Sequence, residues 1–153
     1  KNTPPNVKLL AFNTLVRPKL EYASVVWDPF TKKDINKLER VQRRAVRFIY
    51  DKFKRSDSPS SLMQINKIEL LQERRQIARL KFLSLLANDK LSINRYAYLK
   101  PIATRQTRHH QPHSLTPYFA RTNLFKFSFF PRTINDWNSL PTESLPSSYL
   151  MTA

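Results

Sequence analysis

The chain has neither cysteine nor glycine among its 153 residues. Without thiols it can build no disulfide framework and no thiolate zinc site. Without glycine it can form no phosphate-cradling Gly-rich loop, and tight type I′ hairpins, which need positive φ at both central residues, are disfavoured. Helices joined by turns of Pro, Asn and Ser are what remains. Acids are scarce as well, 11 Asp and Glu against 27 Lys and Arg. Two-metal phosphoryl chemistry needs converging carboxylates, and these stand singly among cations. No run approaches the roughly eighteen apolar residues that span a bilayer, and the opening KNTPPNVKLL has no apolar leader. Lacking an initiator Met, that start reads as cut from something longer.

What is present suffices for one core: 41% of residues are hydrophobic. The formal charge of +16 makes the folded chain attract polyanions, whether nucleic acid, an anionic membrane surface or an acidic protein. In NVKLLAFNTLVRPKLEYASVVW apolar residues recur at helical spacing, and Pro18 is expected to kink or split the helix after Arg17. Thr31 or Asp34 can cap a helix running from Lys33 to about Tyr50. On it, Ile35, Leu38, Val41, Ala45, Phe48 and Ile49 share an arc of roughly 140°, while Lys37, Arg40, Arg43, Arg44 and Arg47 share another of roughly 120°. Only Glu39 offers this stripe an i,i+4 partner, to Arg43.

A short helix is expected between Ser58 and Asn66, then a long one in IELLQERRQIARLKFLSLLAND. Its main stripe reads Leu70, Leu71, Ile77, Ala78, Phe82 and Leu85, with Arg74 inside the arc and in need of Glu39 or Glu73. Residues 90–117 read as an irregular basic linker. In LFKFSFF, Phe125, Phe127 and Phe129 alternate with Lys126 and Ser128 at strand spacing. Pro131 suits the first turn of a closing helix with Phe130, Ile134 and Trp137 on one face, ended by Leu140 and Pro141. The fold class is therefore mainly α, a helical bundle with a small C-terminal aromatic β or irregular segment and a short terminal helix. Three regions are expected: helical 1–89, linker 90–117, and an aromatic segment 118–153 packing on the helices.

No nucleophile constellation is present. His109, His110 and His113 form an HHQPH cluster that reads as a wet basic loop rather than a metal site, since no carboxylate is near and Pro112 interrupts it. Asp136 reads as an acid near a helix start or facing solvent. No metal, cofactor or small-molecule substrate is expected. The basic helix is the serious candidate, because guanidinium groups on one face can follow a row of phosphates without regard to sequence. Arg121, Lys126 and Arg132 extend the positive surface. Tyr118, Phe119 and Phe125 could stack bases, but their alternation favours core packing.

Four blocks together resemble the reverse transcriptases of non-LTR retrotransposons, especially Jockey-like LINE elements: LVRPKLEYASVVWDP (15–29), LERVQRRAVRFIY (38–50), LLQERR (70–75) and SFFPRTINDWNSLP (128–141). The resemblance covers nearly the whole chain. It implies the end of the thumb and the extension after it, within an RNA-directed DNA polymerase often preceded by an endonuclease. The catalytic palm aspartates of that family have no counterpart here, nor does the Cys-rich knuckle of some relatives, so the fragment itself is expected to catalyse nothing. Implied partners are the backbone of RNA or an RNA–DNA hybrid and the upstream palm of the same polyprotein, with a nuclear location and no membrane. Two other readings are a structural module whose helices pack on that palm, and a domesticated basic helical protein bound to chromatin.

Overall fold

A computed structural model describes residues 3–100 and 114–140. Among these the regular structure is helical, with one isolated bridge residue at Leu115 and no strand. The mainly-α expectation therefore stands. The chain divides into two compact units, 1–75 and 76–153, and the division falls inside a helix.

The first unit opens with α1 (Pro5–Ala11), whose proline occupies the first helical position, where its missing N–H is no loss. Where a kink or split is expected after Arg17, the helical run is divided by a π turn, Phe12–Val16, that leads without a gap into α2 (Arg17–Glu21). Its closing bond runs from the Arg17 N–H five residues back to the Phe12 carbonyl, so the register changes just where Pro18 contributes no donor. After α3 (Ser24–Trp27) comes α4 (Lys32–Ile49). Thr31 is its cap: the Asp34 N–H donates to the Thr31 hydroxyl at 3.3 Å, and that hydroxyl donates to Asp34 Oδ2 at 2.6 Å. Ser58 likewise caps α5 (Pro59–Ile65). The first turn of α6 (Leu71–Ala87) completes the unit. Phe12, Val46, Ile49, Met63 and Leu71 are its buried apolar residues.

Three helix ends show how a chain without glycine terminates helices. Asp51, Lys67 and Asp89 take the left-handed position that glycine usually fills, at φ 52°, 51° and 54°. In each case the following N–H reaches back to a carbonyl five residues earlier: Lys52 to Arg47 at 3.0 Å, Ile68 to Met63 at 2.8 Å and Lys90 to Leu85 at 2.9 Å. The orphan carbonyls of α4, α5 and α6 are thus satisfied.

The second unit holds the rest of α6, a 3₁₀ turn at Arg95–Ala97, α7 (Asn123–Lys126) and α8 (Phe129–Asn138). Leu83, Leu86, Ala87, Leu99, Leu115, Ile134 and Trp137 form its core, with Leu80, Leu91, Phe129, Phe130 and Leu140 packed against it. The Asn138 amide holds the strandless segment at Leu115 by bonding both its N–H (2.9 Å) and its carbonyl (2.7 Å).

The expected strand in LFKFSFF is not formed. Thr122 caps α7 by accepting from the Phe125 N–H at 3.3 Å, and α8 starts at Phe129 with Pro131 in its first turn. Local caps satisfy the backbone here, whereas a strand would need a neighbour. Five alternating residues cannot distinguish a strand from two short helices meeting at a turn. Of the expected face of α8, Ile134 and Trp137 are buried and Phe130 is half-buried against the core, and Pro131 and Thr133 are buried as well. Pro141 and the three histidines lie outside the described residues.

Candidate nucleic-acid interface

The basic helix is α4, and its orientation differs from the one its apolar pattern suggests. The buried residues are Glu39, Gln42, Val46 and Ile49, while Val41 is 41% and Phe48 59% exposed. Two polar contacts set this rotation. The Gln72 backbone N–H donates to Glu39 Oε1 at 2.8 Å, and the Gln42 amide donates to the Glu69 carbonyl at 2.7 Å. Both serve the orphan groups around the start of α6, while Glu39 Oε2 and Gln42 Oε1 stay buried without a hydrogen-bond partner among the described residues. Glu39 therefore cannot act as the expected partner of Arg43.

The cations keep to their own side. Arg40 and Arg44 are exposed and Arg43 is half-buried, and no carboxylate pairs with any of the three among the described residues. Lys37 pairs with Asp34 at 2.9 Å on an exposed surface, and Arg47 is half-buried with Nη2 donating to the Asp57 carbonyl at 3.3 Å. Hydrogen bonds to Thr31 and then to Lys37 hold the Asp34 carboxyl below the usual aspartate range. Exposed Lys52, Lys54 and Arg55 follow the helix, so residues 32–55 carry ten cations against three acids.

Arg121, Lys126 and Arg132 belong to the second unit. Arg121 and Lys126 are exposed, with the Lys126 ammonium 5.8 Å from the Phe127 ring centre, and Arg132 is half-buried. Of the aromatic residues expected to fill a core, Phe119 does not, at 83% exposed, while Tyr118 and Phe125 are partly exposed, at 37% and 42%, and pack on each other, with Tyr118 also against Phe130.

The arginines of α6 are also redistributed. Its buried face carries Leu71 and Arg75 in the first unit and Arg79, Leu83 and Leu86 in the second, spaced mostly by four, while Leu70 and Ile77 face solvent. Arg75 Nε meets Asp28 at 2.7 Å and Arg79 Nη2 meets Asp136 at 3.0 Å. Asp136 thus lies towards the end of α8 rather than near its start, and it meets Arg79 while staying partly exposed. Arg74 is half-buried and pairs with Glu21 and Glu69 rather than Glu39 or Glu73. Its bonds to Glu21, then Glu69, raise its affinity for the proton against the opposing effect of burial. Arg17 shifts the other way, lowered by burial and then by the Arg74 charge. A hydrophobic-period search misses both buried arginines. The signal that finds them is cation spacing by four in a helix whose acids lie far off in sequence.

No protein-family model, curated protein or solved structure matches this chain. Among the described residues no group of three or more His, Cys, Asp or Glu could hold a metal ion, and no helix is long and apolar enough to cross a membrane.

Proposed function

We propose that this chain is a nucleic-acid-binding C-terminal piece of a retrotransposon RNA-directed DNA polymerase, holding the template–primer backbone through α4 and inactive by itself. The observation that carries the reading is the set Arg40, Arg43 and Arg44, three guanidinium groups along one side of a helix whose single nearby acid, Glu39, is turned into the fold. Unmatched arginines on a fixed rod present bidentate donors to phosphates and carry no sequence information. The four-block resemblance supplies the polymerase context and the duplex as ligand.

The test replaces Arg40, Arg43, Arg44 and Arg47 by Gln and measures filter binding of an RNA–DNA hybrid between about 50 and about 200 mM salt. The variant loses most of its affinity, and the slope of log K against log salt falls by nearly one for each phosphate contact removed. Unchanged affinity and slope would refute the reading.

A second reading has its own support. Phe48, Leu15 and Val16 stand exposed around a groove of about 360 Å³, lined also by Val7, Phe12 and Ala45. Such a surface suits a module that packs on another protein domain. Aggregation of the isolated chain, with no affinity for hybrid, favours it.

A further inference from the structure

The second unit carries a cleft of about 220 Å³ lined by Tyr98, Lys100, Thr116, Pro117, Tyr118 and Phe119. We propose that this cleft stacks an unpaired base of a single-stranded nucleic acid, with Phe119 as its platform and Lys100 at the adjoining phosphate.

Ring contacts and hydrogen bonds hold the walls together. Tyr98 stacks on Phe130 at 5.0 Å and 7° between planes, and Tyr118 packs edge-on to Phe125 at 6.0 Å. The Tyr118 hydroxyl donates to the Tyr98 carbonyl, and the Thr116 N–H donates to the Lys100 carbonyl at 2.9 Å, so the two arms of the cleft are tied together. Beside these packed rings Phe119 is 83% exposed and has no ring partner among the described residues. A flat apolar ring in water beside a cleft gains by covering one face with another flat ring, and every nucleobase offers one.

Charge selects the ligand. Lys100 is the charged residue that lines the cleft and no acid lines it, while residues 89–140 carry eight Lys and Arg against two acids, Asp89 facing Arg95 and Asp136 facing Arg79. A neutral or proline-rich peptide would use the rings and leave the cations idle, whereas a nucleotide strand uses both. This adds a base-dependent contact to the nucleic-acid reading of α4, and it rests on residues of the other unit, so the two can fail separately.

The experiment uses the full chain and fluorescence anisotropy with two probes of equal length, an oligothymidylate and an abasic oligomer on the same backbone. The unaltered protein prefers the base-bearing strand. Phe119→Ala lowers that affinity by about 5- to 150-fold and leaves abasic binding unchanged, while Phe119→Tyr retains it. The exposed position of Phe119 makes the far-UV dichroism of both variants match the parent. The four-arginine α4 variant has a shallower salt dependence, with the Lys100 contact remaining, and keeps the preference for bases. Equal binding of both probes, or an unaffected Phe119→Ala variant, overturns the proposal and spares the α4 reading. A polyproline peptide that binds through Phe119, with no preference for the base-bearing strand, overturns it in favour of a proline-rich chain. Binding of neither probe overturns the proposal and leaves the α4 reading to its own test with the RNA–DNA hybrid.

Discussion

Glu39, in the middle of the most basic helix, accepts the backbone N–H of Gln72 at 2.8 Å, across 33 residues of sequence. Its charge lies where the first turn of α6 has unpaired N–H groups and the positive end of a helix dipole. One residue thereby anchors α4 and leaves Arg43 without its intrahelical partner.

Replacing Glu39 by Ala is expected to cost about 1–3 kcal/mol, because a buried helix terminus loses a charged acceptor. Urea denaturation of the variant measures this. The salt dependence of polyanion binding stays as in the parent, since the carboxylate is 4% exposed and does not oppose the ligand. A large gain in affinity on removing Glu39 would mean that its charge is felt at the arginine face.

The absence of glycine gives a second expectation. Lys67 sits at φ 51° as the left-handed residue after α5, a conformation that costs a residue with a β-carbon about 1–2 kcal/mol. Lys67→Gly relieves that strain but adds freedom to the unfolded chain, a loss of about 0.5–1 kcal/mol. The net gain is about 0 to 1.5 kcal/mol, read as a higher urea midpoint at unchanged slope. Asp51→Gly gains less, because Asp51 also receives the Lys8 ammonium at 2.8 Å.

How far the sequence led can be judged from the same residues. The bounds of α4 and α5 were legible because Thr31 and Ser58 are good caps, and α8 because Pro131 fits a first turn. The facing of α4 and α6 was not. Apolar periodicity puts Val41, Phe48 and Ile77 inside, yet Glu39, Gln42, Arg75 and Arg79 take the buried positions. Their partners, Gln72, the Glu69 carbonyl, Asp28 and Asp136, lie 27 to 57 residues away. A long polar side chain is cheap to bury only when such a partner exists, and local pattern does not encode distant partners. The aromatic segment failed for another reason: a five-residue alternation is too short to separate periods of 2 and 3.6.

The start of α4 responds to pH. Thr31 and Lys37 hold the Asp34 proton affinity low in the folded state, so ionised Asp34 contributes stability above the ordinary aspartate pKa. That contribution is lost as pH falls through the lower, folded-state value. Carbon-detected NMR titration should place Asp34 below the free-aspartate range. Thr31→Val should bring it back towards that range and cost about 0.5–2 kcal/mol by removing the cap. An Asp34 titration indifferent to Thr31 would remove the hydroxyl as the cause.

Arg79 and Asp136 provide the sharpest test of the second unit. Arg79 Nη2 lies 3.0 Å from Asp136 Oδ2 and Nη1 lies 3.2 Å from Thr133 Oγ1, with the arginine side chain 3% and the aspartate 30% exposed. Removing one partner leaves a buried charge with too few acceptors, a loss of about 3–5 kcal/mol for a fully buried pair. Because Asp136 keeps contact with water, Asp136→Ala should fall near about 2–3 kcal/mol. Arg79→Met should cost a similar amount, and the double variant Arg79→Met/Asp136→Leu should recover much of it, since apolar groups of similar size can replace a buried pair. Denaturant unfolding of the four proteins closes the cycle. Strict additivity of the two single losses would mean that the pair does not couple, and that what holds α8 to α6 is the packing of Ile134 and Trp137 against Leu83 and Leu86 alone.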